Sequence, residues 1–512
     1  MKVVIRLKGV SLALMGALTI GSAPAQPEVQ GQWGPVLKSS DGTWRNLLFS
    51  IHAVHLPTGK TMLFGYKAQA PQAQLYDPLT GQFEHTNPLV ANTDHDIFCS
   101  GMTLLSDGSV FFTGGHIMDY WGQRYAMRMN PFAEGLDQWT ALAPMNYPRW
   151  YPTCTTLPDN RVLVTSGTQS YNPDNYDLLY QFVWANYPEI YNPANNTWTV
   201  LPDTFRSHWY PFIFVLPNGK VFFAGRYIRS SWPETDQNWT LDLATNRWTK
   251  MNAAPQPIRG GAAVMYEPGR IMKSGGQDPT RADGNSTERT AVINMNVANP
   301  AWRETPAMAQ KRQDHNLVLL PDGNVLAVGG SYVFDNDSTG VTQKLAEMWN
   351  PVSETWTPMA TMTHSRLYHS TAVLLADGRV LTAGGNISPT AQVFSPPYLF
   401  KGERPVITSA PERVAPGSLF YVETPNVATV SKVVLMGLNS TTHAFDMNQR
   451  RVPLNFFVAG GNQIGVVGPS SFNVTPPGYY MLFLINSNGV PSVAKYVQIR
   501  NLSLGLPRGK KG

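Results

Sequence analysis

Cysteine and charged side chains are both scarce in this sequence of 512 residues. It contains two cysteines, and Asp, Glu, Lys and Arg together make up 14% of it, against roughly 25% in an average soluble domain. So little charge argues against a coiled coil and against charge-rich disorder. The two cysteines, Cys99 and Cys154, allow at most one disulfide, which is the default expectation for an exported protein.

A long hydrophobic run is also lacking. The apolar segment 10–20 is shorter than the ~20 residues that a membrane-spanning helix needs. Lys2, Arg6 and Lys8 precede it, and the small-x-small pattern of residues 23–25 follows it. This arrangement is typical of a secretory signal peptide. We therefore expect a secreted, extracellular protein without a transmembrane anchor, cleaved after the last residue of that pattern.

Net charge is small once the leader is set aside. Residues 1–25 carry three basic side chains, and their removal leaves 36 basic against 34 acidic side chains. Part of the remaining basic charge lies in the C-terminal tail, residues 503–512. Nothing in this balance indicates a nucleic-acid partner.

Glycine, proline and aromatic residues are abundant, and they follow a repeat. Each copy has an apolar run, a turn of Asp-Gly type, a second apolar run and then usually glycine. Turns of this kind between β-rich runs are strong hairpin signals. Seven turns occur, 49 to 59 residues apart, and begin at Thr58, Asp107, Asp159, Asn218, Pro268, Asp322 and Asp377.

This period predicts an all-β fold with a seven-bladed kelch-type β-propeller of four-stranded blades. The last blade lacks a fourth strand, which residues 31–34 (Gly-Gln-Trp-Gly) are predicted to supply. From about Arg404 short alternating runs between Pro, Gly and Asn turns predict an Ig-like β-sandwich. The predicted organisation is a signal peptide at 1–25, a propeller at 26–402, a sandwich at 403–502 and a basic tail at 503–512.

One level of the innermost strands carries an unusual set of side chains. Eight residues before the turn lies Cys99 in blade two, Tyr151 in blade three, Tyr210 in blade four, Asp314 in blade six and His369 in blade seven. Equal offsets on equivalent strands imply the same face and depth of the channel. Each of these residues alone is most often an ordinary packed side chain, but their coincidence favours a site.

The same register bears on the cysteines. Cys154 follows Tyr151 by three residues, so it is predicted to face away from that tyrosine. This facing argues against the Cys99–Cys154 disulfide and leaves Cys99 close to Tyr151 across neighbouring blades.

Four short motifs carry a resemblance to a known family. They are segment 98–101 (Phe-Cys-Ser-Gly), segment 149–153 (Arg-Trp-Tyr-Pro-Thr), segment 366–370 (Arg-Leu-Tyr-His-Ser), and Thr442-His443 followed by residues 449–454. In order and blade position the sequence resembles the copper radical oxidases, the family of galactose oxidase and glyoxal oxidase, over nearly the whole chain after the leader. The form of segment 149–153 looks more like glyoxal oxidases.

The resemblance implies one copper ion that cycles between Cu(II) and Cu(I), with Tyr151, Tyr368, His369 and His443 as its ligands. It also implies a thioether between Cys99 and Tyr151, which makes a stable tyrosyl radical at Tyr151. Imidazole and phenolate ligands suit a tetragonal Cu(II) site. His443 would come from a sandwich loop that reaches into the channel.

The implied reaction is the oxidation of a small aldehyde to a carboxylic acid, or of a primary alcohol to an aldehyde. Tyr368 would take a proton from the substrate oxygen as general base. The Tyr151 radical would take a hydrogen atom from the substrate carbon, and O2 would be reduced to hydrogen peroxide. The substrate and O2 are thus the expected partners, and a monomer is expected.

The sequence also departs from galactose oxidase. It has no room for an N-terminal carbohydrate-binding domain, and it lacks the tryptophan that would follow Gly167, so Trp184 is a candidate cover for the radical. Arg206 resembles a substrate-binding arginine. Asp314 and His315 stand where an apolar sugar-stacking wall would need Phe, which favours small aldehydes over galactose.

The alternative from another class is a non-catalytic kelch-propeller adhesin or glycan-binding protein.

Overall fold

The computed structural model describes residues 26–37, 50–66, 73–86, 96–134, 138–172, 174, 182–226, 237–251, 258–277, 286–333, 342–385 and 388–502. The expected signal peptide at 1–25 and basic tail at 503–512 lie outside the described residues. Within the described part of the chain, no helix has the length and apolarity to cross a membrane.

Seven separate sheets of antiparallel strands form the first and larger part of the molecule. After a single-turn helix α1 (Pro27–Gln30) and strand β1 (Gln32–Trp33), the first three blades and their extra hairpins use β2 (His52–His55), β3 (Thr61–Phe64), β4 (Ala73–Asp77), β5 (Gln82–Thr86), β6 (Gly101–Leu104), β7 (Val110–Thr113), β8 (His116–Met118), β9 (Trp121–Gly122), β10 (Ala126–Met129), β11 (Trp139–Leu142), β12 (Thr153–Thr156), β13 (Val162–Thr165), β14 (Thr168–Tyr171), β15 (Phe182–Trp184), β16 (Glu189–Asn192) and β17 (Thr197–Val200). Strands β8–β9 and β14–β15 are hairpins outside the four-stranded blades.

The other four blades repeat the pattern. They use β18 (Pro211–Val215), β19 (Val221–Arg226), β20 (Trp239–Asp242), β21 (Arg247–Lys250), β22 (Ala262–Glu267), β23 (Arg270–Ser274), β24 (Thr290–Asn294), β25 (Arg303–Thr305), β26 (Asn316–Leu319), β27 (Val325–Val328), β28 (Leu345–Asn350), β29 (Thr355–Thr361), β30 (Ser370–Leu374), β31 (Val380–Gly384) and β32 (Ala391–Ser395). Two strands of most blades are continuously buried, because both faces of each blade pack against neighbouring blades. The seven-bladed kelch-like propeller predicted from the repeat is confirmed.

The last blade is closed by the N-terminal strand. Strand β1 pairs antiparallel with β32, with Gln32 opposite Ser395 and Trp33 opposite Phe394. The Trp33 indole N–H also donates to the carbonyl of Ala360. Strand β1 therefore supplies the fourth strand of the last blade.

Two further sheets make the C-terminal β-sandwich. After a 3₁₀ helix at Pro397–Phe400, its elements are β33 (Arg413–Val414), β34 (Leu419–Glu423), a 3₁₀ helix at Val427–Thr429, β35 (Val430–Gly437), β36 (Ser440–Thr442), β37 (Phe445–Asp446), β38 (Arg451–Leu454), β39 (Phe456–Gly460), β40 (Gln463–Val467), β41 (Gly478–Asn486) and β42 (Lys495–Ile499). One sheet has the order β33-β42-β41-β35-β38 and the other β34-β40-β39. Their apolar faces enclose a core of their own, which includes Val422, Leu435 and Leu482.

Strands β36 and β37 leave the sandwich and join the propeller. Strand β36 pairs antiparallel with β2, the innermost strand of blade one, and places Thr442 opposite His52. The connection between β36 and β37 consequently lies at the centre of the propeller. This pairing carries His443, the next residue, into the channel.

Candidate active site

The shared level of the inner strands has an unusual backbone conformation. In five blades the residue at this level is not glycine and yet has a positive φ. These residues are Cys99 (60°), Tyr151 (65°), Tyr210 (41°), Asp314 (60°) and His369 (65°). Gly260, at the same offset in blade five, has φ of 62°. The left-handed region is costly for residues other than glycine, and such residues cluster at functional sites. The repeated conformation turns the chain inward just before each strand begins.

Main-chain hydrogen bonds link this level from blade to blade. The N–H of Cys99 donates to Nε2 of His52 in blade one over 3.0 Å. The N–H of Tyr151 donates to the carbonyl of Cys99, and the N–H of Tyr210 donates to the carbonyl of Tyr151, each over 3.0 Å. These bonds fix the relative heights of the side chains in blades one to four.

Four rings converge where the channel meets the sandwich loop. The hydroxyl oxygens of Tyr151 and Tyr368 are 2.6 Å apart, and the Tyr151 oxygen is 3.4 Å from Nε2 of His369. The ring centroid of His443 is 4.5 Å from that of Tyr151, 5.3 Å from that of Tyr368 and 4.6 Å from that of His369. The structure thus brings together all four residues that the sequence analysis assigned to copper.

Cys99 belongs to the same cluster. Its Sγ and one ring nitrogen each of His369 and His443 all lie within 4.8 Å of one another, and the three residues are buried. The thiol also interacts with the Tyr151 side chain. Cys99 and Cys154 are both buried free thiols.

Hydrogen bonds fix the tautomer of His443. The Thr442 hydroxyl donates to the carbonyl of Ile51 over 2.9 Å, so it accepts from Nδ1–H of His443, 2.6 Å away. With its proton on Nδ1, the neutral imidazole has its lone pair on Nε2. A metal-binding histidine is commonly oriented in this way through its other nitrogen.

Burial dominates the electrostatics of the cluster. It raises the pKa of the Tyr151 and Tyr368 phenols well above the ordinary value, and the neighbouring Cys99 raises both further. It also lowers the pKa of His443 well below the ordinary value, with His369 and His52 adding to this shift. The neutral imidazole of His443 can bind a cation, and a cation would in turn stabilise the two phenolates.

The donor set therefore fits copper. Two imidazoles and two phenol oxygens are borderline nitrogen and hard oxygen ligands, the combination that suits Cu(II). Calcium and magnesium prefer sites made entirely of oxygen, and structural zinc sites are usually built from cysteine and histidine. The Cys99 thiol adds an oxidisable group, and it is in direct contact with the phenol of Tyr151.

The ring that covers Tyr151 is its sequence neighbour. Trp150 stacks on Tyr151 with ring centroids 3.6 Å apart and planes at 10°. The candidate cover, Trp184, instead contacts Trp209, whose centroid is 5.3 Å away. Neighbouring side chains on an extended strand point to opposite faces, but the positive φ of Tyr151 ends that alternation and allows the two rings to stack.

The three candidate substrate contacts differ in position. Asp314 is buried near Tyr368 and adds to the rise in the pKa of that phenol. His315 is fully buried between blades five and six, with Nε2 3.0 Å from Oγ of Ser274. Burial lowers the pKa of His208 well below its ordinary value, and the nearby Arg226 and then Arg206 add to that shift. Of the three, the structure places Asp314 with the central cluster and His315 in the interface between blades.

Sequence reasoning missed two residues of this site. His52 accepts the hydrogen bond from Cys99 and lies 5.9 Å from His443 between ring centroids. The motif at 149–153 predicts no separate role for Trp150. A histidine in the apolar run before the turn of blade one is the signal that could have identified His52, since a polar side chain buried in such a strand needs a partner.

Comparison with known families agrees with this geometry. The family described as "Glyoxal oxidase N-terminus" matches residues 72–230 and 260–399, more than half of the chain. The chain belongs to the glyoxal oxidase family. The description "Galactose oxidase-like, Early set domain" matches residues 404–499, the region of the sandwich.

Individual relatives extend the match to most of the chain. Galactose oxidase of Gibberella zeae is 28% identical, covering 96% of this chain and 73% of that protein. Aldehyde oxidase GLOX1 of Arabidopsis thaliana is 30% identical, covering 83% of this chain and 74% of the relative. A solved fungal alcohol oxidase of the AA5 family, in complex with copper, has a TM-score of 0.77 at 26% identity and covers 92% of this chain and all of that chain. The resemblance to the copper radical oxidases is confirmed, and an oxidase is favoured over a non-catalytic adhesin.

Proposed function

We propose that this glyoxal oxidase family member is a secreted oxidase that holds one copper ion in the cluster of Tyr151, Tyr368, His369 and His443. The observation that carries the proposal is the convergence of these four rings and Cys99 from three blades and the sandwich. A cation beside the two phenol oxygens would account for their 2.6 Å contact in a buried site, because it would stabilise both as phenolates. A purely structural core would not need two phenols, two imidazoles and a thiol at one point.

Copper bound there would act as a Lewis acid toward the substrate oxygen and accept one of the two electrons that the substrate loses. The second electron needs another acceptor, which we assign to Tyr151. A thioether to Cys99 would make its phenol easier to oxidise, and the Trp150 indole stacked at 3.6 Å would spread and shield the resulting radical. The radical oxygen would then take one hydrogen atom from the substrate carbon and become a phenol again.

We assign the proton transfer to Tyr368. Its ring is half-buried, whereas Tyr151 is 2% exposed, so Tyr368 is the more accessible of the two phenols. As a phenolate it would accept the proton from the substrate hydroxyl at its Oη. General bases contribute typically ~10²–10⁴-fold to rate.

We propose small hydrated aldehydes as the preferred substrates, with primary alcohols as the second class. The buried carboxyl of Asp314 near Tyr368 offers a hydrogen-bond acceptor and no apolar surface, which suits two geminal hydroxyls better than the apolar face of a sugar. Arg206 remains a candidate for orienting a carbonyl or carboxylate. The relatives include both a galactose oxidase and aldehyde oxidases by name.

The cofactor proposal is tested by metal content and intact mass. Purified protein loaded with Cu(II) under air is expected to hold one copper per chain and to lose two hydrogens. The two electrons and two protons pass to O2 as the C–S bond forms. Cys99→Ser should abolish the mass loss and Cys154→Ser should retain it. A mass loss that thiol reductants reverse would indicate a disulfide and contradict the proposal.

The substrate proposal is tested by peroxide production across a panel on the copper-loaded enzyme. Glyoxal and methylglyoxal are expected to exceed galactose in kcat/KM by at least about tenfold, or about 1.4 kcal/mol of transition-state stabilisation. Asp314→Phe should reduce the ratio of kcat/KM for the small aldehydes to kcat/KM for galactose. His315→Phe changes a residue in the interface between blades and should leave that ratio unchanged. Galactose as the best substrate would contradict the preference and leave the copper assignment intact.

A further inference from the structure

A continuous series of oxidisable rings leads from Tyr151 toward the protein surface. Trp150 lies on Tyr151, and its ring centroid is 5.1 Å from that of Tyr120. The ring of Tyr120 is in turn 5.4 Å from that of Tyr171. We propose that these four residues, which we call the aromatic relay, carry one electron from Tyr151 to an oxidant in solution and so generate the radical. The proposal rests on the radical chemistry assigned to Tyr151 above.

Burial changes steadily along the relay. Tyr151 and Trp150 are 2% and 5% exposed, whereas Tyr120 and Tyr171 are half-buried. Tyr120 follows β8 and Tyr171 ends β14, so the outer rings lie on the two extra hairpins, which pack against each other. These hairpins are additions to the four-stranded blades, and together they bring tyrosines to the edge of an otherwise enclosed radical site.

The identity of the rings matters as much as their spacing. Tryptophan and tyrosine lose an electron far more readily than phenylalanine or neutral histidine. A second series of rings leads outward through His369, Phe98 and Tyr66. The distances between successive ring centroids are 5.6 Å and 3.6 Å. Its inner members are histidine and phenylalanine, so it is a poor path for an electron. The relay through Trp150 has an oxidisable ring at every step.

A side branch joins the relay in the protein interior. Trp209 is 5.5 Å from Trp150 and 5.7 Å from Tyr120, and Trp184 is 5.3 Å from Trp209, all between centroids. Both tryptophans are buried, so the branch adds intermediate sites without its own opening to solvent. The half-buried tyrosines remain the points at which an external oxidant would meet the relay.

The proposed step balances as a one-electron oxidation. Tyr151, a phenolate in the copper-loaded enzyme, loses one electron and becomes a neutral phenoxyl radical, so no proton has to leave. Tyr368, whose oxygen is 2.6 Å away, stays a phenolate and remains available as the general base. The electron moves through Trp150 and Tyr120 to an outer-sphere oxidant, for which hexacyanoferrate(III) is the probe, and the probe becomes hexacyanoferrate(II).

The test follows the rate at which the radical forms. Copper-loaded, cross-linked enzyme is first reduced by one electron with ascorbate and then mixed rapidly with hexacyanoferrate(III), while the optical and resonance signals of the radical are recorded. Tyr120→Phe keeps the ring and removes the oxidisable hydroxyl. It should slow radical formation at least about tenfold, equivalent to about 1.4 kcal/mol in the barrier. Turnover of enzyme already in the radical state should be unchanged.

A matched control separates the relay from a general effect of surface tyrosines. Tyr187 is 38% exposed and stacks on Tyr147, outside the relay, so Tyr187→Phe should form the radical at the wild-type rate. Equal rates in the Tyr120→Phe and Tyr187→Phe variants would overturn the relay. If Tyr120→Phe does not fold, Tyr171→Phe replaces it with the same two outcomes, slowing or no slowing. Failure of the wild type to form any radical would instead contradict the proposed function.

Discussion

The main-chain N–H of Cys99 donates a hydrogen bond to Nε2 of His52 across the boundary between blades one and two, over 3.0 Å. His52 is fully buried, and its ring stacks on Phe64 with planes at 3° and centroids 4.4 Å apart. Because Nε2 accepts, the proton of this neutral imidazole is on Nδ1. Burial keeps it neutral by lowering its pKa well below the ordinary value. His52 thus holds Cys99 in its left-handed conformation beside Tyr151.

We predict that His52→Phe slows formation of the Cys99–Tyr151 cross-link. Phenylalanine preserves the stack on Phe64 but leaves the buried N–H of Cys99 without an acceptor, at a cost of about 1–3 kcal/mol. The time course of the two-hydrogen mass loss after copper addition measures the effect, and urea unfolding measures the stability. His52→Gln, which offers an acceptor again, should restore part of the rate. A His52→Phe variant that is destabilised but cross-links at the wild-type rate would limit His52 to a structural role.

A second prediction separates the two phenols at the centre. Tyr368→Phe should lower kcat by ~10²–10⁴-fold through loss of the general base, yet retain the radical signals, because Tyr151, Trp150 and Cys99 are untouched. Tyr151→Phe should abolish both the radical and the cross-link. Optical and resonance spectra of oxidised protein decide between these outcomes. Loss of the radical in both variants would show that the roles are not divided in this way.

The propeller could be predicted from the sequence because its signals are local and repeated. Seven Asp-Gly-type turns fix the hairpins, and even the closure of the last blade by Trp33 follows from one missing strand. The shared level of Cys99, Tyr151 and His369 could be counted from the same turns. Strand counting assumes an extended backbone, however, and the positive φ at this level breaks that assumption. That is why the Trp150–Tyr151 stack was not foreseen.

Contacts between distant parts of the chain could not be predicted by counting residues from the turns. The placement of His443 came from the family resemblance alone, since no periodicity predicts that β36 leaves the sandwich to pair with β2. His315 was grouped with Asp314 because the two are adjacent in sequence. Whether a side chain enters the channel or the interface between blades depends on the neighbouring blade, here Ser274. A single strand carries no information about that neighbour.

The third prediction concerns the contribution of the sandwich to metal binding. His443→Ala should reduce copper content well below one per chain, since it removes one of four proposed ligands and leaves the propeller intact. His315→Ala is a matched control, because it also truncates a buried histidine, but one between blades five and six. It should lower stability and leave the copper content unchanged. Full copper content in the His443→Ala variant would remove His443 from the ligand set.

A second contact between sandwich and propeller contains a titratable group away from the central cluster. His55, in strand β2, is buried, with Nδ1 3.1 Å from the Thr61 hydroxyl and Nε2 2.9 Å from the Tyr496 hydroxyl of strand β42. Burial lowers the pKa of His55 to about 4, against a small opposing effect of Asp377. The folded protein therefore requires this imidazole to be neutral.

The last prediction is that acid weakens the protein through His55. Above pH 6.5 the imidazole is neutral in both the folded and unfolded states and has no effect on their balance. As pH falls from 6.5 to about 4, His55 becomes protonated in the unfolded chain but stays neutral in the folded protein. The free energy of unfolding should drop by about 3 kcal/mol over this window. Urea unfolding at several pH values should show a shallower decline in His55→Gln than in the wild type, and parallel pH profiles of the two proteins would exclude His55 as the cause.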